Sequence, residues 1–456
     1  MFKRAVCLFL TISVFASILI ASAAQISTAI LPDGLGPPEL TASAAIVAEL
    51  NSGQILYGKD QDQALPMASL TKVMTTLLAL EHGLEHGTLD RDVTASASAL
   101  DDMGRFEDWG SNVGMKDGEI MSLRNLLYCV MVSSANEACN VAAEAVSGSI
   151  DAFIELMNRR ARELGCKNTL FKNTHGLHED GHNSSAYDMY LITAEAMRHI
   201  EFMEMANTTS KSIPPTNLTG ERTLNTTNHL LSKRGQDKYL YHLAEGIKTG
   251  HHSQAGYCLI SSARSGDLHL LTVVMGCAVL DDTIMSFTET RDLIEWGLGA
   301  YEFKRVLSAS DSTAMIPVPV QMGDGFDAVN VKPAGHISAL IPKILDAASI
   351  TRQITLPDEV TAPVTKGQVI GEMTLTYRGH KFGAVDLIAD FSVKRDDKEF
   401  VMDISKDFLT GPELRYTLFA IGGLLLLYTI ITILYNRYRR RNHIPSNYRG
   451  KKRKRY

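Results

Sequence analysis

A serine and a lysine three residues apart open an apolar run at Ala68-Ser69-Leu70-Thr71-Lys72. In a helix this spacing puts Ser69 and Lys72 on one face, one turn apart. A hydroxyl is a poor nucleophile until a base takes its proton, and a desolvated lysine amine can be that base. The start of a helix adds free N–H groups and partial positive charge, suited to a developing oxyanion. Alone the pair carries little weight, because an N-cap serine followed by lysine is common. Two further clusters accompany it. Ser134-Ala135-Asn136 lies in a break between apolar stretches, where side chains can face a cleft. Lys248-Thr249-Gly250 precedes two apolar stretches, in the setting of an edge strand.

The surrounding pattern predicts what must hold these residues. Ser43 to Asp60 reads as two strands around the turn Asn51-Ser52-Gly53. Ala68–His82, Ser122–Val132, Glu137–Val146 and Ser185–His199 read as helices, and Ile150, Phe153, Ile154, Met157, Ala161 and Leu164 mark another. Residues 257–263 and 268–277 form a hairpin around Ser265-Gly266-Asp267, and 281–299 returns to helical spacing. Strands at both ends with helices between predict an α+β fold over 43–301, an antiparallel sheet covered by helices. Beyond Tyr301, short alternating stretches predict a small all-β domain over 304–393. A linker over 394–415 follows.

The two ends fix a compartment. Lys3 and Arg4, an uncharged stretch Ala5–Ala24 and its closing Ala21-Ser22-Ala23-Ala24 read as a signal peptide over 1–24, with an uncleaved signal anchor as the alternative. Residues 25–42, rich in proline and glycine, read as an exposed lead-in. Tyr416–Tyr435 is twenty residues without a charge, and twenty residues at about 1.5 Å rise span a bilayer core. The tail 436–456 holds ten Lys or Arg and no acid, which the positive-inside rule places in the cytoplasm. Directly behind a span, Lys451–Arg455 reads as a topological signal, not a nucleic-acid patch. The net charge of −6 resolves into +2 on 1–24, +10 on 437–456 and −18 between them. Composition, 45% apolar and 21% charged over 456 residues, excludes a mostly disordered, collagen-like or multi-span chain. With Cys7 in the leader, Cys129, Cys139, Cys166, Cys258 and Cys277 remain, an odd set without CxxC spacing that reads as buried small hydrophobes. A Cys129–Cys139 pairing stays open.

The three clusters, in this order, resemble the signature of penicillin-recognising serine enzymes. Asn173-Thr174-His175-Gly176-Leu177, Gly181-His182-Asn183-Ser184-Ser185-Ala186-Tyr187-Asp188 and Gly246-Ile247-Lys248-Thr249-Gly250 followed by Ala255-Gly256-Tyr257 narrow the likeness. The chain resembles the low-molecular-mass penicillin-binding proteins, serine-type D-alanyl-D-alanine carboxypeptidases of the bacterial cell wall. That resemblance implies a DD-peptidase/β-lactamase-like fold and an acyl-enzyme mechanism without metal or cofactor. Ser69 would attack the carbonyl between the terminal D-alanines of a peptidoglycan stem pentapeptide, Lys72 would take its proton, and Ser134 would relay a proton to the departing D-alanine. The N–H groups of Ser69 and His251 would form the oxyanion hole, Asn136 would hold the substrate amide, and Lys248, Thr249 and Gly250 would border the terminal carboxylate. β-Lactams would acylate the same serine, and the C-terminal helix would hold the catalytic domain outside the membrane. Two positions depart from the family pattern: Ala135 stands where glycine is usual, and His252 where a hydroxyl residue is frequent.

Three rival readings have distinct signatures. A membrane-anchored β-lactamase would use a glutamate near the site, and Glu179 to Asn183 offers that spacing, although the surrounding residues match the carboxypeptidase loop better. A metal hydrolase would need His175, His178 and His182 as ligands, but glycines interrupt the run and the histidines read as solvated loop residues. A non-catalytic wall scaffold would be expected to have lost one of the reactive side chains.

Overall fold

The computed structural model describes residues 36–106, 109–232, 237–311 and 314–441. The predicted signal peptide, residues 25–35 of the lead-in and the basic residues beyond Arg441 lie outside the described residues. The chain divides into two compact units. One runs to Val306 and includes Ile337–Thr351 and Leu375–Gly383; the other comprises Leu307–His336, Arg352–Thr374 and the chain from Ala384.

The first unit is built on five strands, β1 (Ala44–Glu49), β2 (Gln54–Lys59), β3 (Ala244–His252), β4 (Gly256–Ser265) and β5 (Leu268–Cys277). Their order is β2-β1-β5-β4-β3, and every pairing is antiparallel. The strand carrying Lys248 is therefore an edge. Strand side chains alternate between faces, so a sheet apolar on both faces needs two coverings. In β1, Ala44, Ile46 and Ala48 enter one core, whereas Ala45 and Val47 enter the other. The first core is closed by α1 (Lys72–Glu85), α2 (Leu123–Val132), α3 (Asn136–Ser147), α4 (Ile150–Glu163) and α5 (Ala186–Ala196). The second is closed by α6 (Met285–Ala300), through Phe287, Leu293 and Ile294.

Helix α1 lies at the centre: Val73, Met74, Leu77 and Leu80 are all fully buried, and so is its polar stripe of Lys72, Thr75 and Thr76. Each such large apolar side chain contributes about 1.5–3 kcal/mol relative to exposure. Serines start three of the helices. Ser122, Ser149 and Ser185 accept through their hydroxyls from the N–H of Asn125, Ala152 and Asp188, each cap worth about 1 kcal/mol.

Several features differ from the sequence reading, among them the stretch 394–415, expected as a linker, which holds the helix Asp397–Thr410. The described end of the lead-in is docked: the N–H groups of Thr41 and Ala42 donate to the Glu289 carboxylate at 2.6 and 3.1 Å, and Ala42 is fully buried. The helix expected from Ala68 begins as a 3-10 turn, Ala68–Thr71, because Ala68 adopts φ +47°, which no α-helical residue can. The strand Ile337–Pro342 pairs with Tyr301–Leu307, and Leu340 enters the second core beside Phe287 and Tyr301. A stretch expected within the β domain thus completes the packing of the first unit.

The second unit is β-rich. Ile316–Gln321 pairs antiparallel with Ala328–Pro333, which pairs antiparallel with His380–Ala389 through Val331 and Ala389. Val318, Val329, Val331, Leu387 and Ala389 form its interior at alternating positions. The helix Pro412–Arg441 is long and apolar enough to cross a membrane, and its apolar side chains are exposed. The five described cysteines are all free thiols.

Candidate active site

The 3-10 turn and first turn of α1 present Ser69 and Lys72 as the i,i+3 spacing requires. Lys72 Nζ donates to Ser69 Oγ at 2.8 Å. It also donates to Asn136 Oδ1 at 2.5 Å and to the His175 carbonyl at 2.6 Å, so three acceptors hold a fully buried amine. Burial pushes its pKa down to about 8, with Cys139 and Glu137 opposing the shift. At pH 7 roughly a tenth of such a lysine is neutral, against under a thousandth at the ordinary value.

Across the cleft, Lys248 on the edge strand β3 donates from Nζ to Ser134 Oγ at 2.9 Å. Ser134 sits in the break before α3 with φ +58°, a conformation that aims its hydroxyl out of the helix path. Burial, reinforced by the nearby Lys72 charge, holds the Lys248 pKa well below the ordinary lysine range. Thr249 Oγ1 lies 2.6 Å from Thr227 Oγ1. Gly250 is where β3 meets the 3-10 turn: a Cβ there would stand 3.2 Å from Ser69 N and 3.0 Å from Met67 O. A side chain there would have to push the Ser69 backbone back by a few tenths of an ångström, so glycine keeps the edge strand close to it. His251 stacks on Tyr257 with ring centroids 4.0 Å apart. Ser69, Ser134, Thr249, Gly250 and His251 line one cleft of about 270 Å³.

Asn136 is engaged at both ends of its amide: Nδ2 donates one of its two hydrogens to the Trp109 carbonyl at 2.5 Å while Oδ1 accepts from Lys72. Its N–H donates to the Ser111 carbonyl at 2.8 Å. The loop carrying Trp109 and Ser111 is clamped from two sides. Glu137 Oε1 accepts from Val113 N–H at 2.7 Å, and Arg222 Nε donates to the Val113 carbonyl at 3.0 Å. Arg222 also grips the buried carboxylate of Glu119 with two contacts of 2.6 and 2.9 Å. Burial alone would raise the Glu119 pKa, but hydrogen bonds from Arg222, Thr216 and the Lys116 N–H outweigh it and bring it to about 2. A folded-state value below the unfolded one stabilises the fold above the unfolded pKa and is lost as pH falls through the folded one. Between pH 5 and 2 this carboxylate should cost the fold about 3 kcal/mol. Denaturant melts across that range should show a shallower acid slope for Glu119→Gln than for the parent chain.

Sequence reasoning passed over several residues of the cleft. Ser111, Thr227 and His229 line it, and the His175 carbonyl holds Lys72. They sit in loops without motif spacing, and backbone carbonyls leave no mark in a sequence. The reading of the loop histidines as solvated is corrected: His178 is exposed, whereas His175 and His182 are buried. Their rings are engaged locally, His175 Nδ1 accepting from Leu177 N–H at 3.2 Å and His182 Nδ1 from Lys172 N–H at 2.9 Å. Among the described residues no group of three His, Cys, Asp or Glu side chains is placed to hold a metal.

The arrangement is a hydroxyl with a depressed-pKa amine at hydrogen-bond distance and a second lysine–serine pair facing it. Comparison with known proteins agrees in both units. The model of the D-alanyl-D-alanine carboxypeptidase family matches residues 33–278, and that of the C-terminal domain of penicillin-binding protein 5 matches 301–395. The D-alanyl-D-alanine carboxypeptidase DacF of Bacillus subtilis is 30% identical over 366 residues, covering 80% of this chain and 89% of its own length. DacA of Escherichia coli is 30% identical over 351 residues, covering 75% and 81%. The structure of penicillin binding protein 5 from Haemophilus influenzae superposes with a TM-score of 0.58 at 30% identity, over 79% of this chain and all of that one.

Proposed function

The chain belongs to the D-alanyl-D-alanine carboxypeptidase family, and from that premise we propose that it removes the terminal D-alanine from peptidoglycan stem peptides by an acyl-enzyme on Ser69. The observation that carries the reading is the 2.8 Å contact between Lys72 Nζ and Ser69 Oγ. Neutral Lys72 takes the Ser69 proton as Oγ bonds to the carbonyl carbon of the penultimate D-alanine. The tetrahedral oxyanion is met by the N–H groups of Ser69 and His251. Collapse breaks the C–N bond, and the proton reaches the leaving amine through Ser134. Water then cleaves the ester, releasing the shortened peptide and returning the proton to Ser69.

The two lysines divide the labour through electrostatics. Both are pushed towards neutrality by burial. A substrate carboxylate arriving near Lys248 and Thr249 favours the charged form of Lys248, because opposite charge stabilises it. That cation in turn disfavours a proton on Lys72 and keeps it neutral. Asn136, already bonded to Lys72 and Trp109, fixes the base and offers its amide edge to the substrate backbone.

The helix Pro412–Arg441 contains the twenty-residue span expected at 416–435. In this reading it anchors the enzyme, with the basic tail cytoplasmic and the catalytic unit on the wall side.

A stem pentapeptide ending in D-alanyl-D-alanine and a fluorescent penicillin test the proposal together. One equivalent of D-alanine per peptide and a long-lived label on Ser69 are expected. Rapid turnover of the label would make the protein a β-lactamase, and failure of the purified protein to react with either compound would overturn the proposal.

A further inference from the structure

We infer that Thr71 and His182 are positioning residues for this reaction: they hold the Ala68–Ser69 peptide so that the Ser69 N–H serves as an oxyanion donor. The inference rests on the reading of Ser69 as nucleophile.

Three hydrogen bonds run in series towards the nucleophile. The Lys172 N–H donates to His182 Nδ1 at 2.9 Å. With Nδ1 an acceptor, the proton of the neutral ring resides on Nε2, which meets Thr71 Oγ1 at 2.8 Å. Thr71 Oγ1 donates onward to the Ala68 carbonyl at 2.8 Å. Each donor has one acceptor, so the chain has a single direction. His182 is 3% exposed, and burial, with the charges of His252, His178 and Lys72, holds its pKa down to about 3. The ring is therefore neutral at pH 7.

The end of the chain is the place that needs holding. Ala68 has φ +47°, a left-handed conformation that a residue with a Cβ keeps only when its surroundings enforce it. Gly176 presses on the same carbonyl from another side: a Cβ there would lie 2.0 Å from Ala68 O and 2.9 Å from Thr71 Oγ1, and its φ is +93°. A peptide group is planar, with its carbonyl oxygen and the following N–H on opposite edges. Fixing the Ala68 oxygen thus fixes the direction of the Ser69 N–H, and a hydrogen bond to that oxygen polarises the amide towards donating more strongly. Ser69 N is the edge that faces Gly250 and the cleft.

Packing alone does not ask for a hydroxyl at position 71, since valine has nearly the same shape. The test separates the two roles. Acylation by benzylpenicillin is resolved by stopped flow into the prior binding constant and the rate of the chemical step, using the full chain. Thr71→Val should slow the chemical step about 10- to 100-fold and change prior binding less than about twofold. Thr71→Ser should restore it, and His182→Phe should resemble Thr71→Val. Infrared difference spectra of the adduct labelled at the ester carbonyl should move to higher frequency in Thr71→Val, reporting a weaker oxyanion hole. A chemical step unchanged in Thr71→Val with an unmoved carbonyl band would overturn the inference, as would Thr71→Ser as slow as Thr71→Val. If Thr71→Val does not fold, His182→Phe and Thr71→Ser decide by the same readouts. Absence of a Ser69 adduct in the parent chain is a different result, which removes the reading beneath the inference.

Discussion

Ser69→Ala is expected to leave the protein folded, with no covalent penicillin adduct and with D-alanine release reduced by about 10⁴-fold or more. The side chain removed is small, and its hydroxyl bonds to a lysine that keeps Asn136 Oδ1 and the His175 carbonyl as acceptors. Thermal melts should therefore stay near the parent value while chemistry disappears. Intact-mass measurement after penicillin exposure reads the adduct directly. An adduct of undiminished yield in Ser69→Ala would show that another nucleophile does the work.

Lys72 carries the second large effect. Replacing it by methionine keeps the length and apolar stem of the side chain but removes the base, which should lower the acylation rate about 10²- to 10⁴-fold. The parent enzyme should also report the pKa of this group. Acylation needs the neutral amine, so the rate should climb nearly tenfold per pH unit below about 8 and level off above it. The sign follows from burial, which disfavours the charged form and brings the transition into the working range. In Lys72→Met that limb should vanish along with most of the rate. A limb of the same position in the variant would assign it to another group, with Lys248 the first to examine because it shares the site.

These effects concern residues whose identity was legible early and whose relations were not. Ser69 and Lys72 are three apart, so helical pitch brings them to one face, where they meet at 2.8 Å. The antiparallel sheet was legible for a similar reason. The turns at Asn51-Ser52-Gly53 and Ser265-Gly266-Asp267 are local statements about strands and hairpins. Burial on both faces of β1 was not read from the sequence and came only with the two cores. The membrane-length helix was legible from twenty uncharged residues, since length and apolarity are its only requirements.

What the sequence determined by itself was therefore the residue types available and the local frames that carry them: a serine and a lysine one helical turn apart, a serine–asparagine turn and an edge strand bearing a lysine. Only the tertiary structure decided how these face one another. Lys72 meets Asn136 across 64 positions, and Lys248 meets Ser134 across 114. Such contacts arise from the closing of two cores around one sheet, which no short spacing encodes. The same holds for the buried histidines. His182 looked like a loop residue among polar neighbours, and became a buried link to Thr71 because the segment bearing it folds under the 3-10 turn. Burial also set the reactivity. A lysine is an acid in water and a base only where the fold removes the water, so the pKa that makes Lys72 useful belongs to the packed protein and not to its sequence.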